Sequence, residues 1–196
     1  EDGAIRMSDI YMGENYDARR EDSWNCPGTE KLSKRNHPVL IENPGVRKCW
    51  TSGAMVRRIQ EIEPKKITKM PSGVYMVDFG QNFAGWEELQ VSGPAGTLIT
   101  VRHGEMCNDQ EGLKERGNDG PEGSLYTANL RTAVATSRYY LSGSRIETLR
   151  SYTSFYGFRY ILCSFQRALF LSKNCVYVKY DIKKCCKLNI VLVPRN

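Results

Sequence analysis

A series of short strand-like segments, separated by turn residues at short intervals, constrains the fold of this chain most. The stretch GVYMVDFGQNFAGWEELQV, from Gly73 to Val91, holds two such segments joined by the amide- and glycine-rich bridge GQNFAG. The turn SGPAG follows and leads into TLITVRHGEM, so we predict a hairpin of WEELQV and TLITVRHGEM. Because no helical period extends beyond a few turns, the sequence predicts an all-β fold, an antiparallel β-sandwich.

Further strands are predicted on both sides of this stretch. AMVRRIQEIEPKKIT alternates before Pro64, which a strand tolerates only at an edge or an end. Upstream of it, residues 22–46 are rich in Pro, Asn, Ser and Lys and are predicted to form a long connection. Downstream, LYTANLRTAVATSRYYLSG predicts a short helix or an irregular segment followed by a strand. The aromatic-rich ETLRSYTSFYGFRYILCSF predicts one more strand.

The distribution of charge argues against a nucleic-acid partner. The net charge of +6 comes from residues 166–196, which hold seven Lys or Arg residues and one acid, whereas residues 1–165 hold 21 of each sign. The body of the chain therefore lacks the basic surface that binds DNA or RNA. The tail, residues 166–196, also contains three of the seven cysteines and none of the 17 glycines, so its composition differs from that of the body.

The motifs present predict no metal site and no cofactor. The seven cysteines form no C-x-x-C pair, which is typical of scattered reduced thiols. His103 and Glu105 form an H-x-E without the downstream P-C-x-x-C of a zinc deaminase. No apolar run approaches the roughly 20 residues that span a bilayer, and no signal peptide is visible at Glu1. We therefore expect a soluble protein, cytoplasmic in location, with no membrane partner.

Five blocks of sequence together resemble bacterial α-L-rhamnosidases, an inverting glycoside hydrolase family. They follow the family's order: IYMGENYDARRE, GVYMVDFGQNFAGW, VSGPAGTLITVRHGEM, GSLYTANLRTAVATSRYYLSG and SFYGFRYI. The resemblance implies a jelly-roll or concanavalin-like β-sandwich. It also implies four parts. These are residues 1–22 as the end of a preceding β-sandwich domain, 23–55 as a linker, 56–165 as the rhamnosidase-type β-sandwich module, and 166–196 as an atypical basic tail.

The same resemblance implies that the chemistry lies outside this chain. The family hydrolyses terminal α-L-rhamnose with a general acid and a general base on either side of the sugar, both in an (α/α)6 barrel that should follow SFYGFRYI. No catalytic residue is therefore assigned. We expect an inactive fragment that supports the missing barrel and meets rhamnose-containing glycans or rhamnosides only through the full enzyme. The tail is predicted to be frameshifted or misassembled sequence, or a truncation end. A stand-alone carbohydrate-binding module is the alternative.

Four residues at the GQNFAG bridge are the candidate carbohydrate contacts of that alternative. Trp86 offers a ring face for stacking on a sugar. Asp78, Gln81 and Asn82 offer carboxylate and amide groups for sugar hydroxyls. The competing interpretation places Trp86 in the core and makes the other three part of a glycine-assisted turn or β-bulge.

A second set of residues is predicted to meet a neighbouring domain. The i, i+2 spacing of His103 and Glu105 puts both side chains on one face of a strand, where a surface or interface pair is favoured over acid–base chemistry. Asn129 and the planar guanidinium of Arg131 suit a neighbouring domain, a sugar or a local anchor. An aromatic cluster where the barrel would dock completes this set. Its members are Phe155, Tyr156 and Phe158.

Overall fold

The structure, a computed structural model, describes residues 3–21, 27, 42, 45–50, 58–109, 119–166 and 186–190. The described strands are β1 (Ile5–Asp9), β2 (Gly13–Asp17), β3 (Gln60–Ile62), β4 (Lys66–Lys69), β5 (Tyr75–Val91), β6 (Leu98–Gly104), β7 (Thr136–Tyr140), β8 (Glu147–Arg150), β9 (Tyr156–Gln166) and β10 (Cys186–Ile190). In the same residues the helical elements are two 3₁₀ turns, Ala18–Arg20 and Ala128–Leu130. The all-β prediction is therefore confirmed.

All ten strands join in one curled sheet. Its order is β1-β2-β7-β6-β9-β5-β10-β3, and β4 and β8 also pair with β5. The ladders are antiparallel except that of β2 and β7, which run parallel. Through that ladder, the first strands of the chain share a sheet with the strands of the predicted module.

The hairpin predicted around the turn SGPAG is wrong. β9 lies between β5 and β6 and forms an antiparallel ladder with each of them. The turn itself is present, since Gly96 has a φ of 77° and donates its N–H to the carbonyl oxygen of Leu141 at 2.8 Å. It therefore packs against the segment after β7 and carries the chain past the position of β9.

The GQNFAG bridge forms a β-bulge inside β5, as the sequence predicts. β5 pairs with β9 from Tyr75 to Asp78, and the pairing resumes at Phe83 in a shifted register. Gly80 lies in the bulge with a φ of 80°, a left-handed conformation that glycine adopts at no steric cost. Before the bulge β5 also pairs with β4, and after it with β8 and β10. The bulge therefore marks the point where β5 changes partners.

Gly13 allows β2 to approach β7 closely at the start of their ladder. Its φ is 112°, and a Cβ at this position would overlap the carbonyl oxygen of Thr136 and lie 2.6 Å from its carbonyl carbon. Thr136 also donates its N–H to the carbonyl oxygen of Met12 at 3.1 Å, which holds the two backbones together. Both the backbone angle and the close approach therefore require glycine here.

The inward-facing residues of the strands fill a single hydrophobic core. At its centre the ring of Phe158 lies 4.6 Å from that of Phe83 and 5.9 Å from that of Phe79, measured between centroids. Ile99 and Val101 of β6 are fully buried beside them. Full burial of each such side chain contributes about 1.5–3 kcal/mol, so this core is the main source of stability.

Two predicted segments lie largely outside the described residues. The connection predicted at residues 22–46 has few described positions, and the tail is described at Cys186–Ile190, the strand β10. β10 lies between β5 and β3 and pairs with both in the antiparallel sense. The frameshifted origin of the tail stays a prediction.

Candidate functional site

Three of the candidate residues meet at one point on the surface. The side-chain amide of Asn82 donates to Oε1 of Glu105 at 3.2 Å, and that of Asn129 donates to Oε2 of Glu105 at 3.2 Å. All three residues are exposed. We call them the Glu105 cluster. The bulge of β5, the chain just after β6 and the second 3₁₀ turn each supply one member, so the fold unites residues that are far apart in sequence.

Gly157 forms the floor beneath the Glu105 cluster. A Cβ at Gly157 would lie 3.5 Å from Oε1 of Glu105. The neighbours of Gly157 in β9, Tyr156 and Phe158, are buried in the core. Because side chains alternate along a strand, the Glu105 carboxylate lies on the outer face of the sheet. A carboxylate and two side-chain amides grouped in this way can accept and donate hydrogen bonds to hydroxyl groups in defined directions.

Asp78 belongs to a separate ion pair with Arg159. Its carboxylate accepts hydrogen bonds from Nε and Nη2 of Arg159 at 2.8 and 3.0 Å and from the N–H of Gly80 at 2.7 Å. The hydrogen bonds from Arg159 hold the pKa of Asp78 below its ordinary value against the effect of burial, and the Gly80 amide adds to them. The pair ties the bulge of β5 to β9, which favours the structural interpretation of Asp78.

Gln81 lies within the bridge, and Trp86 directly follows it. Gln81 is exposed, and Trp86 is half-buried and stands apart from the residues of the core cluster. Its neighbours in β5, Gly85 and Glu87, are the buried ones. The interpretation that places Trp86 in the core is therefore wrong, because the alternation after the bulge turns it outward. Since Ala84 pairs with Gly157, Trp86 shares the outer face with the Glu105 cluster.

His103 lies in the core rather than at a domain interface. Its side chain is 1% exposed, its Nδ1 is 2.9 Å from the carbonyl oxygen of Ala135, and its Nε2 is 2.8 Å from Oε2 of Glu87. β6 ends at Gly104, so the strand alternation does not extend to Glu105. The prediction that His103 and Glu105 share one strand face is wrong for this reason.

A chain of buried polar side chains continues from the His103–Glu87 pair. Tyr139 donates its hydroxyl to Oε1 of Glu87 at 2.7 Å and lies 3.3 Å from Oγ of Ser151. Oγ of Ser137 is 3.0 Å from Oγ of Ser151 and 2.9 Å from the hydroxyl of Tyr156. We call these groups the core network: Glu87, His103, Ser137, Tyr139, Ser151 and Tyr156. Both oxygens of the Glu87 carboxylate and both nitrogens of the His103 ring have partners, as buried polar groups require.

The surroundings of Glu87 favour its ionised form. Burial opposes ionisation, but the charge of His103 and the hydrogen bonds from His103 and Tyr139 outweigh it and hold the pKa of Glu87 below its ordinary value. Nδ1 of His103 faces a carbonyl oxygen and Nε2 faces a carboxylate, so each ring nitrogen has a hydrogen-bond acceptor opposite it. Burial, together with the charge of Glu87, raises the pKa of Tyr139, which therefore stays a hydrogen-bond donor.

Acid is expected to unfold the protein through its carboxyl groups. The pKa of Glu87 is held below its ordinary 4.5, and those of Asp78 and Asp17, which accept hydrogen bonds from arginines, are held below 3.8. A carboxyl group whose pKa is lower in the folded than in the unfolded state stabilises the fold. Its full contribution is present when the pH is above the unfolded-state pKa, and it is lost as the pH falls through the folded-state pKa. We expect the urea midpoint to decrease progressively below pH 4.5. A midpoint at pH 3 equal to that at pH 6 would contradict this expectation.

The predicted interface residues divide between the surface and the core. Phe155 is 38% exposed, and Arg131 is exposed with a φ of 55°. Tyr156 and Phe158 are 5% and 0% exposed, and the ring of Tyr156 stacks on that of His103 at 3.8 Å. Assigning Tyr156 and Phe158 to an interface is therefore incorrect, because the alternation of β9 turns both rings inward.

A cleft of about 210 Å³ opens elsewhere on the surface, away from the candidate residues. Its polar lining includes Glu21 and Glu147. Glu21 accepts a hydrogen bond from the hydroxyl of Tyr16, and Glu147 accepts the backbone N–H groups of Ser142 and Gly143 at 2.8 and 3.0 Å. Both carboxylates thus already serve the fold.

The described residues show neither a metal centre nor a membrane helix. Among them, no group of three or more His, Cys, Asp and Glu side chains is placed to hold a metal ion. Likewise, the part of the chain that the structure describes contains no helix long and apolar enough to cross a membrane. Cys49 and Cys107 are free thiols.

The sequence reasoning missed the residues that hold the candidates in place. Arg159 fixes Asp78, and Glu87 with Tyr139 fixes His103. A signal for Glu87 existed, since it alternates with Leu89 and Val91 in WEELQV and therefore falls on their buried face. The pairing of Arg159 with Asp78 had no local signal, because 81 positions separate the two residues.

The fold and the site define a β-sheet domain with a polar cluster on its outer face, and comparisons place it among known proteins. Residues 68–174 match the family model described as the bacterial α-L-rhamnosidase concanavalin-like domain. An α-L-rhamnosidase from Streptomyces avermitilis is 37% identical over 163 residues, which are 81% of this chain and 14% of that protein. The chain therefore belongs to the bacterial α-L-rhamnosidase concanavalin-like domain family, and the concanavalin-like fold predicted from the resemblance is confirmed.

Two solved structures agree with this assignment. The α-L-rhamnosidase from Dictyoglumus thermophilum matches with a TM-score of 0.77 and 26% identity, over 97% of this chain and 19% of that one. The Streptomyces avermitilis α-L-rhamnosidase complexed with L-rhamnose matches with a TM-score of 0.71 and 28% identity, over 98% of this chain and 17% of that one. The chain thus spans less than a fifth of the length of these relatives.

Proposed function

We propose that this chain is a truncated part of an α-L-rhamnosidase that supports and orients a catalytic (α/α)6 barrel which it does not itself contain. The observation that carries the proposal is the family match together with the small share of the relatives' length, 14–19%, that the chain covers. On this proposal the domain is inactive alone. Residues 1–22, 23–55, 56–165 and 166–196 form the end of a preceding domain, a linker, the module and the atypical tail.

Three of the described carboxylates serve the fold, which supports an inactive domain. An inverting glycosidase needs an acid and a base on either side of the sugar, about 6.5–9.5 Å apart so that a water fits. The carboxylates of Glu14 and Glu87 are fully buried and hydrogen-bonded, and that of Asp78 is paired with Arg159. Glu14 and Glu87 therefore have no access to a substrate, and the partly exposed Asp78 is held by Arg159. A rhamnose-containing glycan or rhamnoside would meet the catalytic groups in the barrel of the full enzyme.

A second candidate function is a self-sufficient carbohydrate-binding module. The observation in its favour is the Glu105 cluster, which groups a carboxylate and two amides on an exposed surface that also carries Trp86. Carbohydrate recognition commonly combines directional polar groups with an aromatic ring face. Gln81 adds an exposed amide beside Asn82 at the same bridge.

One pair of measurements separates the two functions. The 196-residue chain is assayed on an aryl α-L-rhamnoside, with the Streptomyces avermitilis enzyme as the active control, and is titrated with L-rhamnose by NMR. We expect no turnover above buffer and no saturable shift. Turnover by the chain would overturn the support function. Saturable binding would establish the binding module instead, provided that Glu105→Gln weakens it. Glu122→Gln, at another exposed position, should leave that binding unchanged.

The tail is proposed to be frameshifted or misassembled sequence in place of the barrel. The proposal is supported by its basic charge and its lack of glycine, which set it apart from residues 1–165. Resequencing the coding region tests it, since an uninterrupted and independently confirmed reading frame through residue 196 would count against it.

A further inference from the structure

Two adjacent loops expose five large apolar side chains. The first loop joins β1 to β2, and the second joins β8 to β9. Their exposed residues, which we call the two-loop patch, are Ile10 (55% exposed), Tyr11 (67%), Met12 (40%), Tyr152 (45%) and Phe155 (38%). The second loop contacts the end of β1, from which the first loop leaves: Oγ of Ser154 donates to the carbonyl oxygen of Asp9 at 3.3 Å, and the hydroxyls of Ser8 and Thr153 are hydrogen-bonded.

The first loop is held rigidly although its side chains are exposed. Oδ1 of Asp9 accepts the backbone N–H groups of Tyr11 and Met12, each at 2.8 Å. The carbonyl oxygens of the same two residues accept the N–H groups of Ala135 and Thr136 at 2.9 and 3.1 Å, which ties the loop to the start of β7. The apolar side chains at its tip therefore project from a fixed backbone.

A buried carboxylate holds the second loop against the first strands. Glu14 of β2 is fully buried, and its carboxylate accepts the N–H of Tyr152 at 3.1 Å, the N–H of Thr153 at 2.9 Å and the hydroxyl of Thr153 at 2.6 Å. The ring of Tyr152 stacks on that of Tyr16 with centroids 5.1 Å apart. One fully buried acid of β2 thus fixes the second loop, whereas Asp9 and β7 fix the first.

Rigid exposed apolar groups are the usual form of a docking surface. Exposed apolar side chains clustered on one surface mark interaction sites, and a preformed surface loses little conformational entropy when a partner covers it. The guanidinium of Arg150 lies 5.1 Å above the Tyr152 ring and adds a positive charge at the margin. The surface therefore fits an apolar partner that carries a carboxylate at its edge.

We propose that the two-loop patch is where the remainder of the longer rhamnosidase polypeptide docks on this domain. The inference rests on the proposed function and names its contact surface. The occupant follows from length, because the chain covers only 14% of the Streptomyces avermitilis relative and 19% of the Dictyoglumus thermophilum one. More than four-fifths of such a polypeptide lies outside this domain, and part of it must pack on the domain to be oriented by it.

Photo-cross-linking in a full-length enzyme tests this docking surface. The segment of the Streptomyces avermitilis enzyme that matches this chain is replaced by the chain, with p-benzoylphenylalanine in place of Tyr11. The control carries the same group in place of Ile146, which has the same 67% exposure but lies on another loop. We expect cross-links from position 11 to peptides outside the inserted segment, and few or none from position 146. Adding Phe155→Ser should lower the cross-link yield from position 11 at least tenfold.

The outcomes separate this inference from the proposed function. Equal yields from positions 11 and 146, or a yield from position 11 that Phe155→Ser leaves unchanged, would overturn the docking surface even if the chimera hydrolyses rhamnosides. Selective cross-links from position 11 in a chimera without hydrolysis would support the surface and count against the supporting role. A second chimera, with this chain in place of the matching segment of the Dictyoglumus thermophilum enzyme, carries the same variants. It provides the measurement if the first chimera misfolds.

Discussion

Replacing Glu87 with glutamine is expected to lower the free energy of unfolding by about 3–5 kcal/mol, because it removes the carboxylate from the buried His103–Glu87 pair and leaves the imidazole without its ionised partner. The shape of the side chain is retained, so lost packing contributes little. The Glu87 carboxylate also receives the Tyr139 hydroxyl, and an amide can accept from Tyr139 or from His103 but offers no negative charge to either. Urea denaturation followed by circular dichroism gives the change.

Two further variants identify the source of this loss. Glu122→Gln changes the same chemical group at an exposed position and should alter the free energy of unfolding by less than about 0.5 kcal/mol. Tyr139→Phe removes one hydrogen bond to Glu87 and keeps the ion pair, so it should cost about 1.5–3 kcal/mol, the range for a bond to a charged group. If Glu87→Gln cost no more than Glu122→Gln, the ion pair would contribute nothing to stability.

Replacing Gly13 with alanine is expected to cost about 3–5 kcal/mol. The new Cβ would overlap the carbonyl oxygen of Thr136, and the backbone angle of 112° is one that alanine adopts only with strain. The clash involves backbone on both sides, so relief requires β2 and β7 to separate. Their parallel ladder, Asn15 to Arg138 through Asp17 to Tyr140, would be weakened as a consequence.

Gly123→Ala is the matched control for the Gly13 variant. Gly123 also has a positive φ, 73°, but no heavy atom lies within 4 Å of the position that a Cβ would take. Its replacement should therefore cost only the backbone strain, about 1–2 kcal/mol. The difference in urea midpoint between the two variants measures the clash with β7. Equal losses would show that β2 and β7 can move apart freely.

The sequence predicted the secondary structure better than the pairing of the strands. The β-bulge at the GQNFAG bridge was predictable, because glycines and amides at a break between two strand patterns have a local cause. The hairpin around SGPAG was not excluded by anything local, since its turn residues are in place and Gly96 adopts the expected positive φ. Only the insertion of β9, from more than 50 residues downstream, decides that β5 and β6 do not pair.

The candidate residues were found singly, but their grouping was not. Asn82 was predicted as a sugar contact and Glu105 with Asn129 as interface residues, and the structure joins all three. Such groupings depend on contacts between distant parts of the chain, which a single sequence does not display. The misplaced His103 has a different cause: β6 ends one residue after it, and strand ends are the least predictable part of a pattern.

The position of β9 in the centre of the sheet delays folding during synthesis. Tyr75 of β5 pairs with Cys163 of β9, so the ribosome adds about 90 further residues before that partner exists, roughly 4–18 s at 5–20 residues per second. During that time β5 and β6 each carry an unpaired edge. Because the two halves of the sheet join only when β9 arrives, folding should be slow, and a nascent chain stalled before Tyr156 would be a candidate for chaperone binding.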